Sequence, residues 1–221
     1  MRQGLIGILL CLGILMVPAW AQTKGEGEML LESASTGDVA TLRKAISNGA
    51  ELELRDDRGR TALLLAVRAD AVEAARMLIE AGADVNAKDD IDDTPFLYAG
   101  AEGRNEILRL ILATGKANLA DTNRYGGTAL IPAAHHGHPE TVRILLETAI
   151  DIDHVNNLGW TALLEAVILG DGGPVYQEIV GLLVDAGARN IPDREGRTPL
   201  DHARARGFAE IAARIEAGPQ H

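Results

Sequence analysis

Residues 123–155, NRYGGTALIPAAHHGHPETVRILLETAIDIDHV, decide the fold, because imperfect copies of this stretch lie on both sides of it. Thr61, Thr94, Thr128, Thr161 and Thr198 follow one another at 33, 34, 33 and 37 residues, opening TALLLAV, TPFLYAG, TALIPAA, TALLEAV and TPLDHAR. A small-residue stop comes 21 residues after the first three, at Gly82, Gly115 and Ala149. A fixed period of this length marks a stacked repeat, whose units cannot bury their apolar faces alone.

Within 123–155 the pattern is helix, loop, helix and hairpin-like turn. The Thr128 hydroxyl is expected to cap a first helix, and a small or proline residue directly after it suits the first turn. Ala133 and Ala134 keep that helix thin. Gly137 ends it, since glycine enters the left-handed conformation at little cost. Val142, Leu145 and Leu146 then fall at i, i+3 and i+4, an apolar stripe on a second helix. The stripe recurs in register at Leu42, Ala45 and Ile46, at Ala75, Leu78 and Ile79, at Leu108, Ile111 and Leu112, and at Ile179, Leu182 and Leu183.

These residues resemble the ankyrin repeat, whose pattern runs D-x-x-G, T-P-L-H-x-A-A, G-H-x-E, L-L and G-A-D. The resemblance covers roughly 30–217 and implies an all-α solenoid of stacked helix-loop-helix units with β-hairpin-like turns. Two departures stand out. The histidine after T-P-L is replaced by Leu64, Leu97, Ile131, Leu164 and Asp201, so the side-chain bond it makes to the turn is expected to be lost. Asp92 stands where the turn glycine belongs, which predicts a distorted tip.

The expected organisation is a signal peptide over 1–21, a flexible leader over 22–29 and the repeat domain over 30–217. Within that domain, 30–55 is a cap, 56–88, 89–122, 123–155 and 156–192 are repeats, and 193–217 is a C-terminal cap repeat, before a tail at 218–221. Arg2, the apolar run to Val17 and Ala19-Trp20-Ala21 have the form of a secretory signal with an A-x-A cleavage site. The run is short of the roughly 20 apolar residues a membrane span needs; an uncleaved anchor is the alternative. The single cysteine, Cys11, lies inside this segment, so the mature chain is expected to form no disulfide. Export points to the periplasm, or to secretion.

The chain has 221 residues, 47% of them hydrophobic and 3% aromatic. Thin Ala/Leu helix pairs need few rings, which agrees with a stack. A net charge of −11 argues against nucleic acid and anionic membranes as partners, and fits a soluble domain, or one attracted to a basic partner. From Thr161 to Gly187 is 26 residues; the additional five fall in Gly170–Tyr176. Insertions of this kind go to loops on one face, often the binding face, and are also tolerated as neutral surface additions.

Catalytic signatures are lacking: no G-x-S-x-G, H-E-x-x-H or phosphate-binding loop occurs. Asp89-Asp90 and Asp92-Asp93 read as a solvated tip, and the loop lacks the bidentate glutamate of an EF-hand. No enzymatic activity and no cofactor are expected. His135, His136 and His138 are the residues to which a metal- or haem-binding stress function would fall. Neighbouring helical residues point about 100° apart, however, so no metal site is assigned to them.

What remains is a surface. The resemblance implies a protein partner gripped by the tips and first-helix ends of a monomeric scaffold. Arg124, Tyr125, His135, His136, Leu158, Trp160, Ile168 and Leu169 are its candidate contacts, with Asp93 and Glu102 among the other surface positions. Exposed apolar residues on adjoining repeats favour a partner site; Trp160 folded onto the inter-repeat seam is the other reading. A periplasmic enzyme to be stabilised, or a toxin to be neutralised, would suit such a scaffold.

Overall fold

The computed structural model describes residues 19–218. These form six helix pairs, and no strand occurs among the described residues. The first three pairs are α1 (Ala19–Thr36) with α2 (Val39–Ser47), α3 (Ala62–Arg68) with α4 (Val72–Ala81), and α5 (Pro95–Ala101) with α6 (Asn105–Ala113). The next three are α7 (Leu130–His135) with α8 (Pro139–Leu146), α9 (Ala162–Leu169) with α10 (Pro174–Asp185), and α11 (Pro199–Ala205) with α12 (Ala209–Glu216). Odd-numbered helices pack each on the next in one row and even-numbered helices in a second, giving the all-α solenoid.

Small residues set the spacing of the first row. Ala66, Ala99, Ala133, Ala166 and Ala203, five residues after each threonine, are wholly buried. Gly100 lies so close to α7 that an added Cβ would stand 2.8 Å from that of Ala129. In the second row the apolar stripe packs inward through Leu42, Leu78, Ile111 and Leu145, while Ile46, Ile79, Leu112, Leu146 and Leu182 lie at its edge.

Four of the five signature threonines cap their helices. The hydroxyls of Thr61, Thr94, Thr161 and Thr198 accept the amides of Leu64, Leu97, Leu164 and Asp201 at 3.4, 3.0, 3.2 and 3.1 Å. Thr128, expected to do the same, does not: α7 begins at Leu130, and the buried Thr128 hydroxyl has no hydrogen-bond partner. Pro132 is the cause. In the capped repeats the amide four residues on closes the first turn onto the threonine carbonyl, as Glu165 does to Thr161 at 3.0 Å. Proline has no such amide. The Ile131 amide bonds the Thr128 carbonyl instead, at 3.2 Å, and is no longer offered to the hydroxyl.

Two further expectations are corrected at the tips. Asp92 distorts nothing: its φ of 64° matches Gly59 at 72° and Gly126 at 73°, and its amide bonds the Asp89 carbonyl as that of Gly59 bonds Asp56. Aspartate is among the few L-residues that enter this region readily. The turn bond expected to be lost with the histidine reappears one residue later in two repeats. His202 Nε2 lies 2.6 Å from Asp193 Oδ2, and Asn156 Nδ2 donates to Glu165 Oε1 at 2.8 Å.

The signal-peptide assignment falls outside the described residues up to residue 18, as does 219–221 of the tail. Residues 22–29, expected to be a flexible leader, are helical within α1. Glu26 is buried there with Asn48 Nδ2 donating to it at 2.8 Å, and Gly27 is packed against Leu54. The five inserted residues are mostly absorbed by helix, chiefly as an added turn at the start of α10. That turn brings the Tyr176 hydroxyl 2.8 Å from the His135 carbonyl. Comparable links join other repeats: His136 Nδ1 lies 2.7 Å from the Ala101 carbonyl, and Arg206 bonds the carbonyls of Val167 and Ile168.

Candidate functional site

Each of the five tips is built on one Asx side chain. Asp56, Asp89, Asn123, Asn156 and Asp193 each accept, on one side-chain oxygen, the amides two and four residues ahead, at 2.9–3.1 Å. The geometry turns the third residue of each tip outward. Those residues are Arg58, Ile91, Tyr125, Leu158 and Glu195. The middle three form an apolar row on adjoining repeats, with Tyr125 at 56% and Leu158 at 51% exposure. Backbone bonds from Asp90 to Arg58 and from Asn157 to Tyr125 tie neighbouring tips together.

Below this row lies a concave groove of about 380 Å³, spanning repeats 89–122, 123–155 and 156–192. It exists because the middle repeat lacks bulk at two columns. The residues just before the threonines are Arg60, Asp93, Gly127, Trp160 and Arg197; those four after them are Leu65, Tyr98, Pro132, Glu165 and His202. Gly127 and Pro132 leave the space, and Asp93, Tyr98 and Glu165 wall it.

The structure brings Arg124, Tyr125, His135, His136, Leu158 and Leu169 together in this groove. Trp160 and Ile168 are half-buried and stand outside its lining. The Arg124 guanidinium lies 4.6 Å from the Tyr125 ring centroid, an arrangement that holds both side chains at the rim. Asp93 and Glu102, named only as surface positions, line the groove as well, together with Tyr98, Asn156 and Glu165, which the sequence did not single out. Comparing the two columns across the copies is what would have found Asp93, Tyr98 and Glu165.

The electrostatics were not anticipated either. Asp89 is buried and Asp93 half-buried, against the expectation of a solvated run. Burial, and then the Asp89 carboxylate, raise the Asp93 carboxyl above its ordinary range. Glu165 is buried further, and burial pushes its carboxyl up to about 7, the Asn156 amide bond opposing this. Burial, with His136 adding repulsion, lowers the His135 imidazole. Glu165 Oε2 and His135 Nδ1 stand 3.5 Å apart, but both shifts favour the uncharged forms, so the contact is not a strong ion pair.

The histidines do not converge. The His135 and His136 centroids are 4.9 Å apart with tilted planes, and His136 and His138 meet edge-on at 6.1 Å. His138 packs over Gly103. Among the described residues no group of three His, Cys, Asp or Glu is placed to hold a metal ion, so the metal-binding alternative has no support in the geometry. No described helix is long and apolar enough to cross a membrane.

The comparisons with known proteins agree with this architecture. The Escherichia coli K12 ankyrin repeat protein YahD is 40% identical over 184 residues, covering 82% of this chain and 91% of YahD. The crystal structure of an ankyrin repeat domain from Acinetobacter baumannii AYE superposes with a TM-score of 0.82 at 55% identity, over 85% of this chain and 95% of that one. The ankyrin repeat protein EF0377 superposes with a TM-score of 0.85 at 42% identity, over 87% of this chain and 98% of its own. Ankyrin repeats are protein–protein interaction scaffolds and generally non-enzymatic modules. The profile described as Ankyrin repeats (3 copies) matches residues 9–89, 29–121 and 96–191, and with the tips, capped helices and two-row stack this places the chain in the ankyrin repeat family.

Proposed function

We propose that the protein is a non-enzymatic scaffold that docks a protein partner in the groove between its tips and first-row helices, and that it does so in the periplasm. The observation that carries the docking site is the exposed row Ile91, Tyr125 and Leu158 above a groove opened by Gly127 and Pro132. A rigid surface already shaped for its partner reduces the ordering cost of association. Tyrosine and arginine at the rim are residue types that concentrate binding energy. The compartment rests on the signal-like pattern of residues 1–21. The partner is an enzyme that the scaffold stabilises or a toxin that it neutralises.

A photo-cross-linking residue at Leu158, compared with one at the exposed outer position Glu147, tests the docking site in intact cells. A discrete adduct from Leu158 alone, lost when Tyr125 and Leu169 become alanine, is the expected result. Equal labelling from both positions rejects the groove. Recovery of the protein in the osmotic-shock fraction, with Gln22 as its first residue, tests export.

A further inference from the structure

Resting on that docking reading, we propose that the groove seats one basic side chain of the partner, a lysine or arginine whose charged end lies against Glu165 and whose stem crosses Tyr125 and Leu158.

The shape comes first. Gly127 is not needed for its backbone, since its φ lies outside the left-handed region that Gly126 occupies. A Cβ added at Gly127 would meet Ile131 at 3.5 Å and Asn123 Oδ1 at 3.6 Å, ordinary contacts. What glycine supplies here is room, and the long stem of a basic residue is the kind of chain that uses an apolar passage to a polar end.

The chemistry at the end of that passage is a carboxylate in want of a cation. The Glu165 side chain is 8% exposed. Its Oε1 accepts from the Asn156 amide at 2.8 Å, and its Oε2 has the 3.5 Å contact to His135, an imidazole that burial disfavours charging. No other element packed on α9 turns a positive group to it among the described residues. On α11, His202 is directed to Asp193 and Arg204 to Glu216, while Arg206, just past its end, bonds the carbonyls of Val167 and Ile168; on α10, Glu178 pairs with Arg143. Arg124, the one arginine in the lining, lies over Tyr125 and acts on Asp93 across the groove. A buried carboxylate without a partner charge is costly, and an arriving guanidinium or ammonium relieves it. Asp93, Glu102 and the chain's net charge of −11 draw the same kind of partner.

Seating the cation favours ionised Glu165, so the proton that Glu165 holds passes to solvent on binding. Binding therefore strengthens as pH rises through about 7. His135, whose imidazole burial holds below its ordinary value, loses its charge at lower pH and acts in the same direction, and replacing Glu165 separates the two contributions.

The test uses n-butylguanidinium and its neutral analogue n-butylurea, titrated into isotopically labelled protein and followed by amide NMR. The expected result is a saturable shift of the Asn156 side-chain amide and the Gly127 backbone with butylguanidinium and none with butylurea. Affinity rises with pH and falls at least about tenfold in Glu165→Gln, the loss of one charge-assisted bond. Gly127→Leu, which fills the passage and leaves the charge, abolishes the shift as well. Equal shifts with butylurea, or shifts unchanged in Glu165→Gln, overturn the proposal. Cross-linking from Leu158 that persists in Glu165→Gln overturns the cation seat and leaves the docking reading standing. Butylguanidinium seated at Glu165 with no cross-linked protein does the reverse.

Discussion

The third and fourth repeats carry nearly the same signature, TALIPAA at 128–134 and TALLEAV at 161–167, yet their helices start differently. Thr161 caps α9 and Glu165 closes its first turn; the Thr128 hydroxyl is buried and unbonded, and Pro132 closes nothing. The fourth repeat holds a regular helix start and places a carboxyl over the groove. The third gives up its cap, and the space left at Gly127 and Pro132 is the groove. The repeat whose first helix gives up its cap is thus the one on which the candidate site is built, and departures from local rules that leave room are expected at functional sites.

The largest expected effect concerns Glu165. Its carboxyl titrates near 7 in the fold, against an ordinary value of 4.5. Below the ordinary value both folded and unfolded chains hold the proton, and the folded state bears no penalty. As pH rises the unfolded chain ionises first, so stability is lost up to about 7 and the penalty is constant above it. Glu165→Gln removes that loss and still accepts from Asn156. Denaturation followed by helical circular dichroism should show the variant gaining about 3 kcal/mol over the natural chain as the pH is raised from about 4 to about 8. A gain independent of pH would show that the carboxyl is not held neutral by burial.

The adjoining glycines give an opposed pair. Gly126→Ala places a side chain at a φ of 73°, where its Cβ would lie 2.5 Å from Asn157 Oδ1, and should cost about 2 kcal/mol. Gly127→Ala meets no such obstacle and should stabilise by about 0.5 kcal/mol through the unfolded chain. Both are read as shifts in denaturation midpoint, and equal effects would remove the claim that Gly127 serves space alone. Smaller again is the threonine comparison. Thr161→Val loses a cap and should cost about 1 kcal/mol, whereas Thr128→Val removes an unbonded buried hydroxyl and should cost nothing or stabilise slightly. A like cost at both positions would restore Thr128 as a cap.

The stack itself was legible in the sequence because it rests on period. The threonine spacing and the recurring stripe depend on each residue's own repeat, and a repeat pattern states them directly. The groove depends on one column read across copies, so Gly127 and Pro132 carried no signal while each repeat was read along its length. Tyr125, Leu158 and Leu169 were visible as apolar residues at outward positions. Glu165 was not, since a glutamate on a first helix reads as solvated until the walls on either side are known. Asp92 was misread for a simpler reason: the turn requires a left-handed residue, and aspartate also meets that requirement.

The ties between successive repeats have a further consequence. Side chains of one repeat bind the closing carbonyls of the first helix before it: His136 at Ala101, Tyr176 at His135, and Arg206 at Val167 and Ile168. These three joints are latched from the C-terminal side, so peeling away the last pair unlatches α9, and peeling α10 unlatches α7. Drawn out from the C-terminus, the protein should unzip in steps, each release weakening the next link.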